Sequence, residues 1–110
     1  MNNPLLVGVD VHRKQNVFSM MDASGDEIGA RCRADNNRPG TAQTIEQLVG
    51  HMESGEYDGL QIGAEATGFY WLHFFQMLQS DEFLNQWPLD LYSFNPRVIA
   101  HYKKTFVDMD

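Results

Sequence analysis

The chain has 110 residues, 43% of them hydrophobic and 21% charged, a composition that suits one domain with a real core and argues against a disordered tract or a two-domain unit. No apolar run approaches the length of a membrane span, Met1-Asn2-Asn3-Pro4 lacks the basic flank of a signal peptide, and the single cysteine, Cys32, has no internal disulfide partner; a reducing cytoplasm is the expected compartment. The net charge of -7 argues against a simple basic nucleic-acid binder, unless the carboxylates are gathered to hold a metal that reverses the local sign.

Residues 5–12 read as a first strand, and within its apolar run Leu5-Leu6-Val7-Gly8-Val9-Asp10-Val11 lies one carboxylate. A charge buried in a strand costs several kcal/mol, on the order of 5 or more, unless a cation or good donors compensate it. Asp10 is therefore read as a ligand. Residues 16–22, with Val17, Phe18, Met20 and Met21, give a second strand. Ala23-Ser24-Gly25-Asp26 supplies the turn, and residues 27–34 a third strand, so the first three form an antiparallel meander.

Helical spacing follows. After the break Asn37-Arg38-Pro39-Gly40, the side chains of Ala42, Ile45, Leu48, Val49 and Met52 recur at steps of three and four, with Thr41 as N-cap and Ser54-Gly55 as the stop. Residues 60–65 form a fourth strand that leads into a second helix, capped by Thr67 and carrying the apolar stripe Trp71, Phe74, Phe75 and Leu78. Trp87-Pro88 interrupts, residues 89–94 make a fifth strand, and Asn95-Pro96 opens a third helix bearing Val98, Ile99, Tyr102 and the lysines.

Three meandering strands followed by helix, strand, helix, strand, helix predict an α/β mixed five-stranded sheet covered by helices on its faces, with strands four and five parallel to strand one. Asp10 and Glu65 then become neighbours near the C-terminal ends of their strands, where open α/β sheets place their ligands.

Gly8-Val9-Asp10-Val11-His12, then Gly63-Ala64-Glu65-Ala66-Thr67-Gly68 with its following aromatics, then Asn95-Pro96-Arg97 before a basic helix resemble, in order and spacing, the DEDD transposases of insertion sequences and the related pilin-gene invertase. The resemblance covers essentially the whole chain. It implies a RuvC-like, RNase H-like catalytic domain over residues 1–110, at the N-terminus of a longer recombinase, so that the chain reads as a C-terminally truncated fragment with little turnover of its own. It also implies cleavage and transfer of DNA strands by phosphoryl transfer with Mg²⁺ or Mn²⁺, a homo-oligomeric full-length protein, an element-encoded guide RNA, a serine nucleophile in a C-terminal domain, and no membrane association.

Four acids hold metal in that family: an aspartate on the first strand, a glutamate after the fourth, and two aspartates three apart beyond the third helix. Asp10 and Glu65 match the first two; Asp108 and Asp110 are two apart and read as lying just before the closing pair. Oxygen ligands suit Mg²⁺, which keeps several waters and is commonly held by one or two carboxylates plus substrate phosphate oxygens.

Plainer readings stand beside these. Asp10 also fits an exposed strand end, and Glu65 a carboxylate that complements a helix dipole. His12 shares Asp10's face of the strand and fits a surface histidine as well as a substrate contact. Arg97, His101, Lys103 and Lys104 suit a phosphate backbone or a solvated helix end. The Phe69-to-Leu78 aromatics fit a core stripe better than a base-stacking platform, Tyr70 being the candidate exception, and Cys32 between Arg31 and Arg33 fits packing or a reactive thiolate. A sugar-kinase or actin-like reading ranks lower, because His12-Arg13-Lys14 fills the place where such a phosphate loop needs small residues. A non-catalytic nucleic-acid-binding or assembly module of the same fold is the main alternative.

Overall fold

A computed structural model of the chain describes residues 2–65, 71–94 and 99–101. Strand β1 (Pro4–Val11) alternates: Leu5, Val7, Val9 and Val11 are buried while Gly8 and Asp10 are exposed. Strand β2 (Gln15–Met21) answers it with Phe18 and Met20 inward and pairs with it antiparallel. The expected turn forms, with Gly25 at φ 93 and the Asp22 carboxylate accepting from the amides of Ser24 and Asp26. Beyond it only an isolated bridge joins Met21 to Glu27, and strand β3 (Cys32–Asp35) starts later than its composition predicts.

Helix α1 (Arg38–Ser54) begins earlier than expected. Asn37 is its N-cap, its side chain accepting from Gly40 N at 2.8 Å, and Pro39 stands in the first turn, where a missing N–H is no loss. What reads as a break is thus a helix start, and Thr41 lies one turn inside. Thr41, Thr44, Ile45, Leu48 and Met52 form the buried stripe and Val49 packs at its edge, whereas Ala42 faces solvent. Gly40 is required by a close approach: a Cβ there would overlap the backbone carbonyl of Asp35.

Strand β4 (Gly59–Glu65) runs parallel to β1, as expected, and strand β5 (Leu89–Phe94) parallel to β4. Helix α2 (Leu72–Ser80) and the preceding Trp71 supply the aromatic stripe: Phe74, Phe75 and Leu78 are sealed in the core, and Trp71 meets Phe75 edge-on at 5.5 Å. That settles these side chains as packing rather than a stacking platform. Thr67 and Tyr70 lie outside the described residues.

The expected five-stranded mixed α/β sheet of RNase H-like type is present and gains a sixth member, giving the order β3-β2-β1-β4-β5-β6. Strand β6 (Ile99–His101) pairs antiparallel with β5 where a third helix was expected. The local helix-start signal of Asn95-Pro96 is outweighed there by the free hydrogen-bonding edge of β5, which Ile99–His101 pairs with. Among the described residues both helices lie on one face of the sheet. Leu5, Val7, Val9, Leu60, Ile62, Ala64 and Leu91 turn toward α1 and α2, and each large side chain so buried contributes roughly 1.5 to 3 kcal/mol before ordering entropy. The opposite face of the sheet is open, and the candidate site lies on it.

Candidate metal centre

Parallel pairing of β1 and β4 aligns their C-terminal ends, and the last pair in the register is Asp10 with Glu65. Adjacent strands lie about 4.8 Å apart, so the two carboxylates rise from neighbouring backbones on one face. Both are exposed, Asp10 with 54% of its side chain in contact with solvent. This corrects the reading of Asp10 as a desolvated charge: Val9 and Val11 occupy the buried side, 4% and 2% exposed, and period two turns Asp10 outward. Its position beside Glu65, rather than any burial cost, makes it a candidate ligand.

His12 lies on the same face, as its spacing predicts, and its Nε2 is 3.0 Å from Asp10 Oδ2. The imidazole contacts one oxygen of a carboxylate that stays exposed. The turn that carries it is well tied: His12 N donates to Gln15 O at 3.1 Å, and Asn36 Nδ2 donates to His12 O at 2.7 Å.

An open depression of about 590 Å³ surrounds these groups, lined by Asp10, His12, Gln15, Arg31, Arg33 and Glu65. Its floor is low because Gly8 and Gly63 face each other across β1 and β4; a Cβ on Gly8 would meet only Ser19 Oγ, at 3.8 Å. A second, more apolar depression of about 480 Å³ continues along the face past Leu6, Met21 and Tyr92.

Gln15, Arg31 and Arg33 are missing from the sequence-derived site, although the signal was available. Arg33 pairs with Val17, and Val17 with Asp10, so a period-two reading of β3 puts Arg33 on the acids' face. Cys32 points the other way, packs against the core and donates to Ala30 O at 3.3 Å, which supports its packing role. The side chains of Arg97, Lys103, Lys104, Asp108 and Asp110 lie outside the described residues; of the predicted phosphate-binding segment only the backbone of His101, in β6, is described.

Among the described residues no group of three or more histidine, cysteine or acidic side chains converges. The donor set is a pair of exposed carboxylates, which fits a hard cation that takes one or two carboxylates and completes its shell with water and phosphate oxygens. It does not fit a structural zinc site, which is closed by four convergent ligands, chiefly cysteine sulfur and histidine nitrogen. No helix among the described residues is long and apolar enough to cross a membrane.

Comparison with solved structures places the fold. Pelota from Archaeoglobus fulgidus matches with a TM-score of 0.51 at 14% identity, covering 96% of this chain and 30% of that one. A Ppx/GppA family member from Aquifex aeolicus matches at 0.42 and 6% identity over 83% of this chain and 35% of that one, and a second structure of an Aquifex aeolicus PPX-GPPA enzyme at 0.44 and 8% over 86% and 36%. The chain therefore spans about a third of the length of each, and at these identities the likeness to Pelota is one of fold alone. No curated protein matches the chain. The family model of the DEDD transposases of IS110 type, described as transposase, matches residues 7–109. With nearly its whole length matched, and its strand order as that resemblance implies, this chain belongs to the IS110-type DEDD transposase family.

Proposed function

We propose that this domain supplies part of the catalytic centre of a DNA transposase, cutting and rejoining strands by divalent-metal-dependent phosphoryl transfer. The supporting observation is the register pair Asp10 and Glu65, two exposed carboxylates on one rung of adjacent parallel strands, above a floor cleared by Gly8 and Gly63. Asp10 and Glu65 are the residues that would hold Mg²⁺ or Mn²⁺. When bound, such ions activate the attacking oxygen and neutralise charge on the leaving one.

The chain's own residues fix the arrangement. β1 and β4 are central strands whose inward side chains are sealed in the core, so the two carboxylates stand on a rigid base and need little reorganisation to close on a cation. His12 steadies Asp10 through one of its two carboxylate oxygens. The Gly8–Gly63 floor admits a sugar-phosphate backbone at close range. The remaining acidic ligands belong in this reading to residues beyond strand β5, and guide RNA and self-association belong to the assembled transposase.

DNA nicking and strand transfer by the complete gene product under Mg²⁺ test the proposal, comparing the parent with Asp10→Asn and Glu65→Gln. Both variants are expected to lose activity by at least a hundredfold while folding normally. Parental activity in either would remove the assigned roles. A second reading, a nucleic-acid-binding module of the same fold without chemistry, is favoured by the presence of only two convergent carboxylates among the described residues. It predicts DNA binding indifferent to divalent metal and to both substitutions.

A further inference from the structure

The depression that holds the acid pair also holds two arginines. Pairing across the sheet sets Arg33, Val17, Asp10 and Glu65 in one line over β3, β2, β1 and β4. With strands about 4.8 Å apart, the Arg33 backbone stands about 10 Å from that of Asp10 and about 14 Å from that of Glu65. Arg31, two residues earlier, borders the same depression. Both arginines are exposed, and among the described residues neither is ion-paired to Asp10 or Glu65. Arg33 Nη1 donates to Gln15 Oε1 at 3.2 Å, which orients the guanidinium and leaves most of its donors uncommitted. Arg31 makes no hydrogen bond or ion pair among the described residues.

Guanidinium groups with no acid partner among the described residues, beside a carboxylate pair, are hard to explain as fold stabilisers, since Arg33 reaches only the neutral Gln15 of the next strand and Arg31 bridges nothing there. They match a phosphodiester, whose oxygens accept the two-pronged guanidinium fork. The need is plain in a chain of net charge -7, whose overall field repels a polyanion; only local cations at the site can overcome it. We infer that Arg31 and Arg33 are positioning residues that dock the DNA backbone on β3, so that the strand crosses the sheet from the arginines to the acid pair. A DNA strand advances about 3.4 Å per phosphate along its axis, so the span of about 10 to 14 Å from Arg33 to the acids covers roughly three to four phosphates. The inference rests on the metal-centre reading for what happens at the far end, but the arginine contacts themselves need no metal.

The test is equilibrium binding of the chain to a short DNA duplex without divalent metal, across a series of salt concentrations. The double variant Arg31→Gln with Arg33→Gln is expected to bind at least about tenfold more weakly at low salt, and the slope of log K against log salt is expected to fall by about two. Arg31→Lys with Arg33→Lys keeps the charge and loses the fork, so it should keep the slope and recover only part of the affinity, a pattern that misfolding would not give. Titration of Mn²⁺ in parallel should differ by no more than about threefold between parent and double variant, because the removed charges are some 10 Å away and screened. An unchanged slope in the double variant, or no salt-dependent DNA binding by the parent, overturns the inference. Tighter, equally arginine-dependent binding of RNA of the same length overturns the assignment to DNA. Failure of the metal reading has a different signature, loss of Mn²⁺ binding by the parent with the arginine effect on DNA intact.

Discussion

The sidedness of β1 decides whether Asp10 is available to a ligand, and neighbouring substitutions measure it. Val9 is 4% exposed and packs in the core, so Val9→Ala removes two buried carbons, about 0.8 kcal/mol each in transfer, plus a cavity term; a loss of about 2 kcal/mol is expected. Asp10 is more than half exposed, and its one ion pair, to a His12 side chain that is 60% exposed, is of the surface kind worth about 0 to 1 kcal/mol. Asp10→Ala in metal-free buffer should therefore shift stability by no more than about 0.5 kcal/mol, and removing one negative charge from an acidic chain pushes in the stabilising direction. Urea unfolding followed by tryptophan fluorescence, with Trp71 in the core as reporter, gives both values from one set of curves. A loss above about 2 kcal/mol in Asp10→Ala, or a neutral Val9→Ala, would refute the sidedness and with it the site.

Three further outcomes are expected. Gly40→Ala should destabilise by about 1 to 3 kcal/mol, because the new methyl runs into the Asp35 carbonyl where α1 leaves the sheet; chemical unfolding measures it. Asn37→Ala should lose about 1 kcal/mol with the side-chain cap on Gly40 N, and Asn37→Asp should keep most of it. The Asp58 carboxyl is held below the ordinary carboxylate range, first by the Asn2 amide at 2.7 Å and also by that of Asn3 at 3.1 Å. A depressed folded-state value means stability present above the unfolded value and lost as pH falls through the folded one. The advantage of the parent over Asp58→Asn in thermal unfolding should thus be constant above about pH 5 and vanish on descent below about pH 3.9.

Much of this architecture is legible in the sequence because each element satisfies a local and a global demand at once. Residues 89–94 lie between the Trp87-Pro88 break and the Asn95-Pro96 dipeptide, and they form β5 with those bounds. The parallel pairing of β1 with β4 follows from the handedness of crossovers, and it delivered Asp10 and Glu65 to the same rung. Asp10's environment was harder to read: Leu6 and Gly8 make the outward positions of β1 look apolar, hiding a period of two behind a continuous run. The Asn37-Arg38-Pro39-Gly40 segment carries break and start signals together, and the choice turns on Gly40 fitting against Asp35, a contact no local pattern reveals. At Ile99–His101 the preference of a proline-led segment for helix yields to an unpaired sheet edge, which exists only once β5 has been placed. Arg31 and Arg33 carry no motif of their own, since their closeness to the acids is a property of the β1–β2–β3 register.

The account depends most on Asp10 and Glu65 gripping one cation together. Mn²⁺ binding, followed by loss of the free-ion electron paramagnetic resonance signal, tests that without DNA or catalysis. The parent should bind weakly and reversibly, Asp10→Asn and Glu65→Gln should each weaken binding at least tenfold, and the double variant should fall little further, because either loss already opens the pair. Equal binding by the parent and both single variants would contradict the account.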